Sequence, residues 1–115
     1  VWGFNEVTSA NGIYYQSWSG STATLNTGST GLGMFDIVVA SAKAHGIKLI
    51  VSLTNNWSDY GGMDVYVTQI LGSQNHDYFY SNAQVIAAFK NYISGFVGHY
   101  VNEPTILGWE FPNEP

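Results

Sequence analysis

The stretch Gly108-Trp109-Glu110-Phe111-Pro112-Asn113-Glu114-Pro115 decides the fold. Thr105-Ile106-Leu107 leads into it as a short apolar run, so a strand is expected over residues 105–111. That strand then breaks into an amide, a carboxylate and a proline. Pro115 cannot donate to a strand ladder, so regular pairing stops there. A buried strand with polar residues at its exit places them where the interior meets solvent. In parallel α/β folds this is the carboxyl end of the strand, where active sites lie. Glu114 is therefore the candidate catalytic carboxyl and Asn113 its neighbour in the site. The competing reading is a surface loop in which both side chains are merely solvated.

Two more strands end in the same manner. Residues 1–4 (Val1-Trp2-Gly3-Phe4) are apolar and exit into Asn5-Glu6. Ile47-Lys48-Leu49-Ile50-Val51-Ser52-Leu53 is nearly continuous in apolar residues, as a strand buried on both faces should be. Its exit is Asn55-Asn56-Trp57-Ser58-Asp59-Tyr60-Gly61-Gly62, a loop shaped by a glycine pair. Asn56-Trp57-Ser58 matches a glycosylation sequon, but an Asn at a strand mouth leaves little room for a glycan.

Between the strands lie helices. Leu32, Phe35, Val38, Val39 and Ala42 recur at helical spacing, with Gly46 placed to end the helix. Ser81 and Gln84 fit a capping box for a helix over 82–100 carrying Val85, Phe89, Tyr92, Phe96 and Tyr100 on one stripe. Residues 7–30 show no sustained period and contain Ser/Thr/Gly-rich stretches, so a long loop is expected, with Tyr14, Tyr15 and Trp18 either lining a groove or pinning the loop. A second connection over 63–80 includes a short helical turn at 65–71.

Strands alternating with helices imply parallel pairing through right-handed crossovers. No glycine-rich phosphate loop follows the first strand, which argues against a doubly wound nucleotide-binding sheet. Strands that all end in site-like residues point to an α/β fold of the (β/α)8 TIM barrel type. Such a barrel takes about 250 residues, so residues 1–115 are expected to be a fragment of one catalytic domain covering roughly strands two to four with their helices. The sequence opens inside a strand with no initiator Met, which fits a fragment.

Composition narrows the partners. Aromatic residues make up 16% of the chain, with four Trp and eight Tyr, while charged residues make up only 10%. Flat apolar faces with polar tips suit sugar binding, although most must serve the core. A net charge of −5 with three Lys and no Arg argues against nucleic acid and anionic membranes as partners. No apolar run is long enough to span a bilayer. There is no cysteine, and His45, His76 and His99 lack metal-ligand spacing, so no metal and no cofactor are expected.

The motifs together resemble the fungal endo-β-1,4-mannanases of glycoside hydrolase family 5. The matching stretches are Val1-Trp2-Gly3-Phe4-Asn5, the segment from Leu53 through Gly62, Gly108-Trp109-Glu110 and Asn113-Glu114-Pro115. The resemblance implies retaining hydrolysis of β-mannan polysaccharide by two glutamates. It makes Glu114 the general acid/base and Asn113 the amide that binds the sugar beside the scissile bond. Trp2 falls on a substrate-binding tryptophan and Trp57 on an aromatic of the cleft, so both are expected to bind substrate. The family's nucleophile glutamate, on the seventh strand, lies beyond Pro115, and a site arginine lies before Val1. Glu6 stands where Asp is usual, and Phe111-Pro112 where Leu-Ala is typical. A secreted, extracellular enzyme, monomeric when complete, is expected.

The chemistry agrees. A glycosidic oxygen leaves poorly until protonated, so a carboxylic acid must supply the proton. In retaining enzymes the second carboxylate sits about 5–5.5 Å away and attacks the anomeric carbon. Glu110, on the same strand face as Glu114 but deeper, reads as a buried, hydrogen-bonded structural acid. Two other functions share these features: a β-1,4-glucanase of a related barrel family, and a non-catalytic carbohydrate-binding relative.

Overall fold

A computed structural model of the chain describes residues 1–72 and 75–115. Its elements in order are β1 (Glu6–Val7), β2 (Gln16–Ser19), β3 (Thr22–Leu25), α1 (Leu32–Ala44), β4 (Leu49–Asn55), α2 (Gly62–Leu71), a 3-10 turn (His76–Tyr80), α3 (Ala83–His99) and β5 (Ile106–Asn113).

β4 and β5 pair in parallel, from Leu49 opposite Ile106 to Asn55 opposite Asn113. β4 is buried along most of its length, as its apolar run predicts. Residues 1–4 form a single parallel bridge, Trp2 opposite Ser52, and not the expected regular strand. Backbone bonds from Gly3 N to Ser52 O (2.7 Å) and from Ser52 N to Val1 O (2.9 Å) hold it against β4. Three chain segments, residues 1–4, β4 and β5, thus run side by side in one direction, so all of their exits lie at one end. β5 runs two residues further than expected, through Pro112 to Asn113.

The stretch 7–30 is not simply a loop. β2 and β3 form an antiparallel hairpin with Ser19 opposite Thr22, and β1 pairs in parallel with β2. The two-residue turn between them needs the positive φ of Gly20, 59°. Gln16 and Trp18 alternate inward, and this two-residue period is hard to see in Ser- and Thr-rich sequence. Trp18 is buried, and Tyr15 packs edge-on against Phe35 and Phe96. Both therefore pin this segment to the core.

α1 buries Leu32, Phe35, Val39 and Ala42, while Val38 faces solvent. α2 is a ten-residue helix where only a short turn was expected. α3 buries Val85, Phe89, Tyr92 and Phe96 on the predicted stripe. Its cap is Asn82 and not Ser81: the Asn82 side chain accepts from the N–H groups of Gln84 (3.0 Å) and Val85 (3.1 Å). Asn82 has the extended backbone of a cap and directly precedes the first helical residue.

Phe96 sits at the centre of the core, with its ring against Phe35, Tyr92, Tyr100 and Trp109. Gly3 lets the backbone of residues 1–4 reach this layer, because a Cβ there would lie 2.4 Å from Cγ1 of Val51. The buried Tyr92 hydroxyl then donates to the Gly3 carbonyl at 2.6 Å. One bond ties the outer helix to the first parallel segment.

Candidate active site

The carboxyl ends of β4 and β5 meet at Asn55 and Asn113, which are partners in register. The Asn113 side-chain amide donates to Oδ1 of Asn55 at 3.1 Å. That oxygen also accepts from the backbone N–H of Trp57 at 3.3 Å. The next backbone N–H, of Asn56, donates to the Asn113 carbonyl at 3.0 Å. Asn55 is fully buried, and it organises the loop from both strands. The sequence offered only its place in an Asn-Asn-Trp run, with nothing to set it apart from Asn56.

On this base, Nε1 of Trp57 donates to Oε2 of Glu114 at 2.7 Å. Glu114 is exposed and has a left-handed backbone, φ 49°. Non-glycine residues seldom adopt that conformation, and those that do cluster at functional sites. Asn113, Glu114 and Trp57 are thus gathered at one point. Trp2 joins the same rim less directly: its ring stacks on Phe4 and meets Tyr60 edge-on, each at 5.1 Å. Tyr60, also left-handed at φ 58°, belongs to the loop that carries Trp57.

Two acidic residues depart from expectation. Glu6 is not a polar exit at the mouth but is turned inward and buried. Its backbone N–H donates to the Tyr60 carbonyl at 2.9 Å. Its carboxyl receives Nε2 of Gln16 on both oxygens (3.1 and 2.9 Å), Nε1 of Trp18 (2.8 Å) and the Tyr66 hydroxyl (3.2 Å). Burial pushes its pKa up to about 7 against the pull of these three donors. The carboxyl therefore joins the hairpin to α2, and the backbone N–H of the same residue ties in the loop at Tyr60. Glu110 is exposed, not buried, and accepts from the Ser52 hydroxyl. A strand side chain is buried by what packs on the face of its sheet, and among the described residues Glu110 is left exposed on its face of β5.

His76 reaches the site from the 3-10 turn. Its ring nitrogens lie 2.5 Å from Oδ1 of Asp64 and 2.7 Å from Oδ1 of Asn56. Among the described residues no three His, Asp or Glu side chains are grouped to hold a metal ion, and no helix is long and apolar enough to cross a membrane.

The arrangement has recognisable relatives. The family model described as "Cellulase (glycosyl hydrolase family 5)" matches residues 1–115. The chain is 45% identical to a probable mannan endo-1,4-beta-mannosidase A of Aspergillus clavatus, over 98% of this chain and 32% of that protein. It is 44% identical to the mannan endo-1,4-beta-mannosidase A of Aspergillus aculeatus, over 100% and 31%. The crystal structure of an endo-1,4-beta-mannanase from Rhizomucor miehei superposes with a TM-score of 0.88 at 40% identity, covering 99% of this chain and 34% of that one. A hyperthermostable endo-1,4-beta-D-mannanase from Thermotoga petrophila gives 0.80 at 32% identity, covering 99% and 36%. The chain spans about a third of the length of the curated relatives it matches.

Proposed function

The chain belongs to the cellulase family of glycosyl hydrolases, family 5, and on that premise we propose that the complete protein is an endo-acting retaining glycosidase that hydrolyses β-1,4-mannosidic bonds in mannan, glucomannan or galactomannan. The observation that carries this reading is the Glu114 carboxylate at the end of β5, held by the Trp57 indole beside Asn113. The three parallel segments then correspond to roughly strands two to four of an eight-stranded barrel, within a single catalytic domain.

In this mechanism Glu114 is the general acid/base and a glutamate outside these residues is the nucleophile. With Oε2 accepting from the indole, Oε1 carries the proton. Glu114 gives that proton to the glycosidic oxygen as the bond to the anomeric carbon breaks and the nucleophile bonds to that carbon. A water then attacks the same carbon, the bond to the nucleophile breaks, and Glu114 takes the proton from the water. Asn113 is placed to bind the sugar beside the scissile bond, and the exposed faces of Trp57 and Trp2 suit the C–H faces of pyranose rings. The polymer is too large to enter a cell, so the enzyme works outside it, and we take it to be a monomer.

Glu114→Gln in the complete enzyme tests the assignment. Turnover of mannan should fall roughly 10²–10⁴-fold with the fold intact. An activated aryl glycoside should lose less in glycosylation, since its leaving group needs no proton. Near-normal mannan hydrolysis would remove Glu114 from the mechanism. The family's description as a cellulase favours β-1,4-glucan as the second substrate reading, and assaying both polymers side by side decides between them.

A further inference from the structure

We propose that His76 is a positioning residue for the candidate acid/base, acting through Asn56 as a strut between α2 and the exit loop of β4; the inference rests on the reading of Glu114 above. His76 lies twenty residues beyond Asn56 in the chain, yet one ring nitrogen is 2.7 Å from Oδ1 of Asn56. The other is 2.5 Å from Oδ1 of Asp64, in the first turn of α2. A ring gripped at both nitrogens has a fixed plane, so the Asn56 side chain is anchored to a helix and not to another loop.

Asn56 is where such an anchor matters. Its backbone N–H donates to the carbonyl of Asn113, the residue before Glu114. Its neighbour Asn55 accepts from the Asn113 side chain and from the Trp57 N–H. Its other neighbour, Trp57, donates to the Glu114 carboxylate. Displacing Asn56 therefore disturbs all three contacts that orient residues 113 and 114. The side chains of Trp57, Ser58, Asp59 and Tyr60 are all exposed, and the far end of the loop is tied separately, by the Glu6 N–H to the Tyr60 carbonyl and the Gly61 N–H to the Ser58 carbonyl. Either a ring that donates from both nitrogens, or a neutral ring with the Asn56 amide turned over, keeps both bonds. His76 itself touches no position assigned to the reacting atoms.

The test compares wild type, His76→Ala and Asn56→Ala in the complete enzyme. A strut that aims the acid should, when lost, lower kcat on the polymer by roughly 10- to 100-fold with KM little changed, as misplacement of a catalytic group by about 1 Å does. Hydrolysis of an aryl glycoside with an activated leaving group should fall far less. The double variant should be no worse than either single one, since both remove the same contact. Equal losses on polymer and aryl glycoside, tracking a lower melting temperature, would assign His76 a merely structural role and overturn the proposal. So would additivity of the two variants.

A second readout is independent of the substrate. The Trp57 indole N–H resonance, identified through Trp57→Phe, reports its bond to Glu114 directly and should shift in His76→Ala. An unchanged resonance overturns the strut. A wild type that cleaves neither mannan nor β-glucan overturns the functional reading alone, with the resonance still deciding the role of His76.

Discussion

Nε1 of Trp57 and Oε2 of Glu114 lie 2.7 Å apart, although 57 residues separate them in the chain. The bond joins the exits of β4 and β5, two strands fixed in register by their own ladder. Its acceptor is the candidate acid/base, so the same tryptophan offers a sugar its ring face and the carboxylate its N–H.

Those two roles can be separated. Trp57→Phe keeps a flat face and loses the donor, whereas Trp57→Ala loses both. Phe should lower kcat on mannan while largely preserving affinity for mannooligosaccharides, and Ala should weaken affinity as well. The ring is 57% exposed, so neither change should cost the roughly 3–5 kcal/mol typical of a buried aromatic. Calorimetric titration and melting of both variants check this, and a large drop in melting temperature would place the ring in the core.

Gly3→Ala should destabilise the complete protein although it adds one methyl group. The new Cβ would lie 2.4 Å from Val51 Cγ1 and 3.2 Å from the Phe96 ring, both in the buried core. Overpacking of this kind costs about 1–3 kcal/mol. Urea unfolding of the variant gives the figure, and an unchanged midpoint would mean that residues 1–4 do not dock as described.

Glu6 makes stability depend on pH. Below pH 4.5 the carboxyl is protonated in both folded and unfolded chains, and its contribution is fully present. From 4.5 to about 7 the unfolded chain ionises while the buried Glu6 keeps its proton, so stability falls as pH rises. That interval corresponds to roughly 3 kcal/mol at about 1.4 kcal/mol per pH unit. Glu6→Gln, which cannot ionise, should remove most of this decline when unfolding is compared at the two ends of the window. A variant with the same pH slope as wild type would show that Glu6 is not the group responsible.

The 115 residues produced by themselves should hydrolyse no mannan. The retaining mechanism needs a second carboxylate as nucleophile, and the resemblance assigns it to a position beyond Pro115. Among the described residues β5 is paired along one edge only, and an open edge invites association. Incubating the purified segment with mannan and measuring reducing ends tests this, with sustained release as the contrary result.

The parallel order of the chain was legible in the sequence. Apolar runs at 1–4, 47–53 and 105–111 alternate with helical stripes, and burial enforces both periods locally. Parallel strands exit at one end, so the sequence already puts Trp57 and Asn113-Glu114 at the same mouth. Only the tertiary structure decided the rest. The β2–β3 hairpin is written in Ser, Thr and Ala, whose alternation carries little hydrophobic contrast. The cap at Asn82 instead of Ser81 depends on which residue takes the extended backbone. Glu6 turns inward onto donors, Gln16, Trp18 and Tyr66, that lie 10, 12 and 60 residues away. The grip of His76 on Asn56 likewise crosses 20 residues. Hydrophobic periodicity is a property of neighbours along the chain and survives in the sequence, whereas a hydrogen bond between distant residues leaves no period and exists only once packing has brought its partners within about 3 Å.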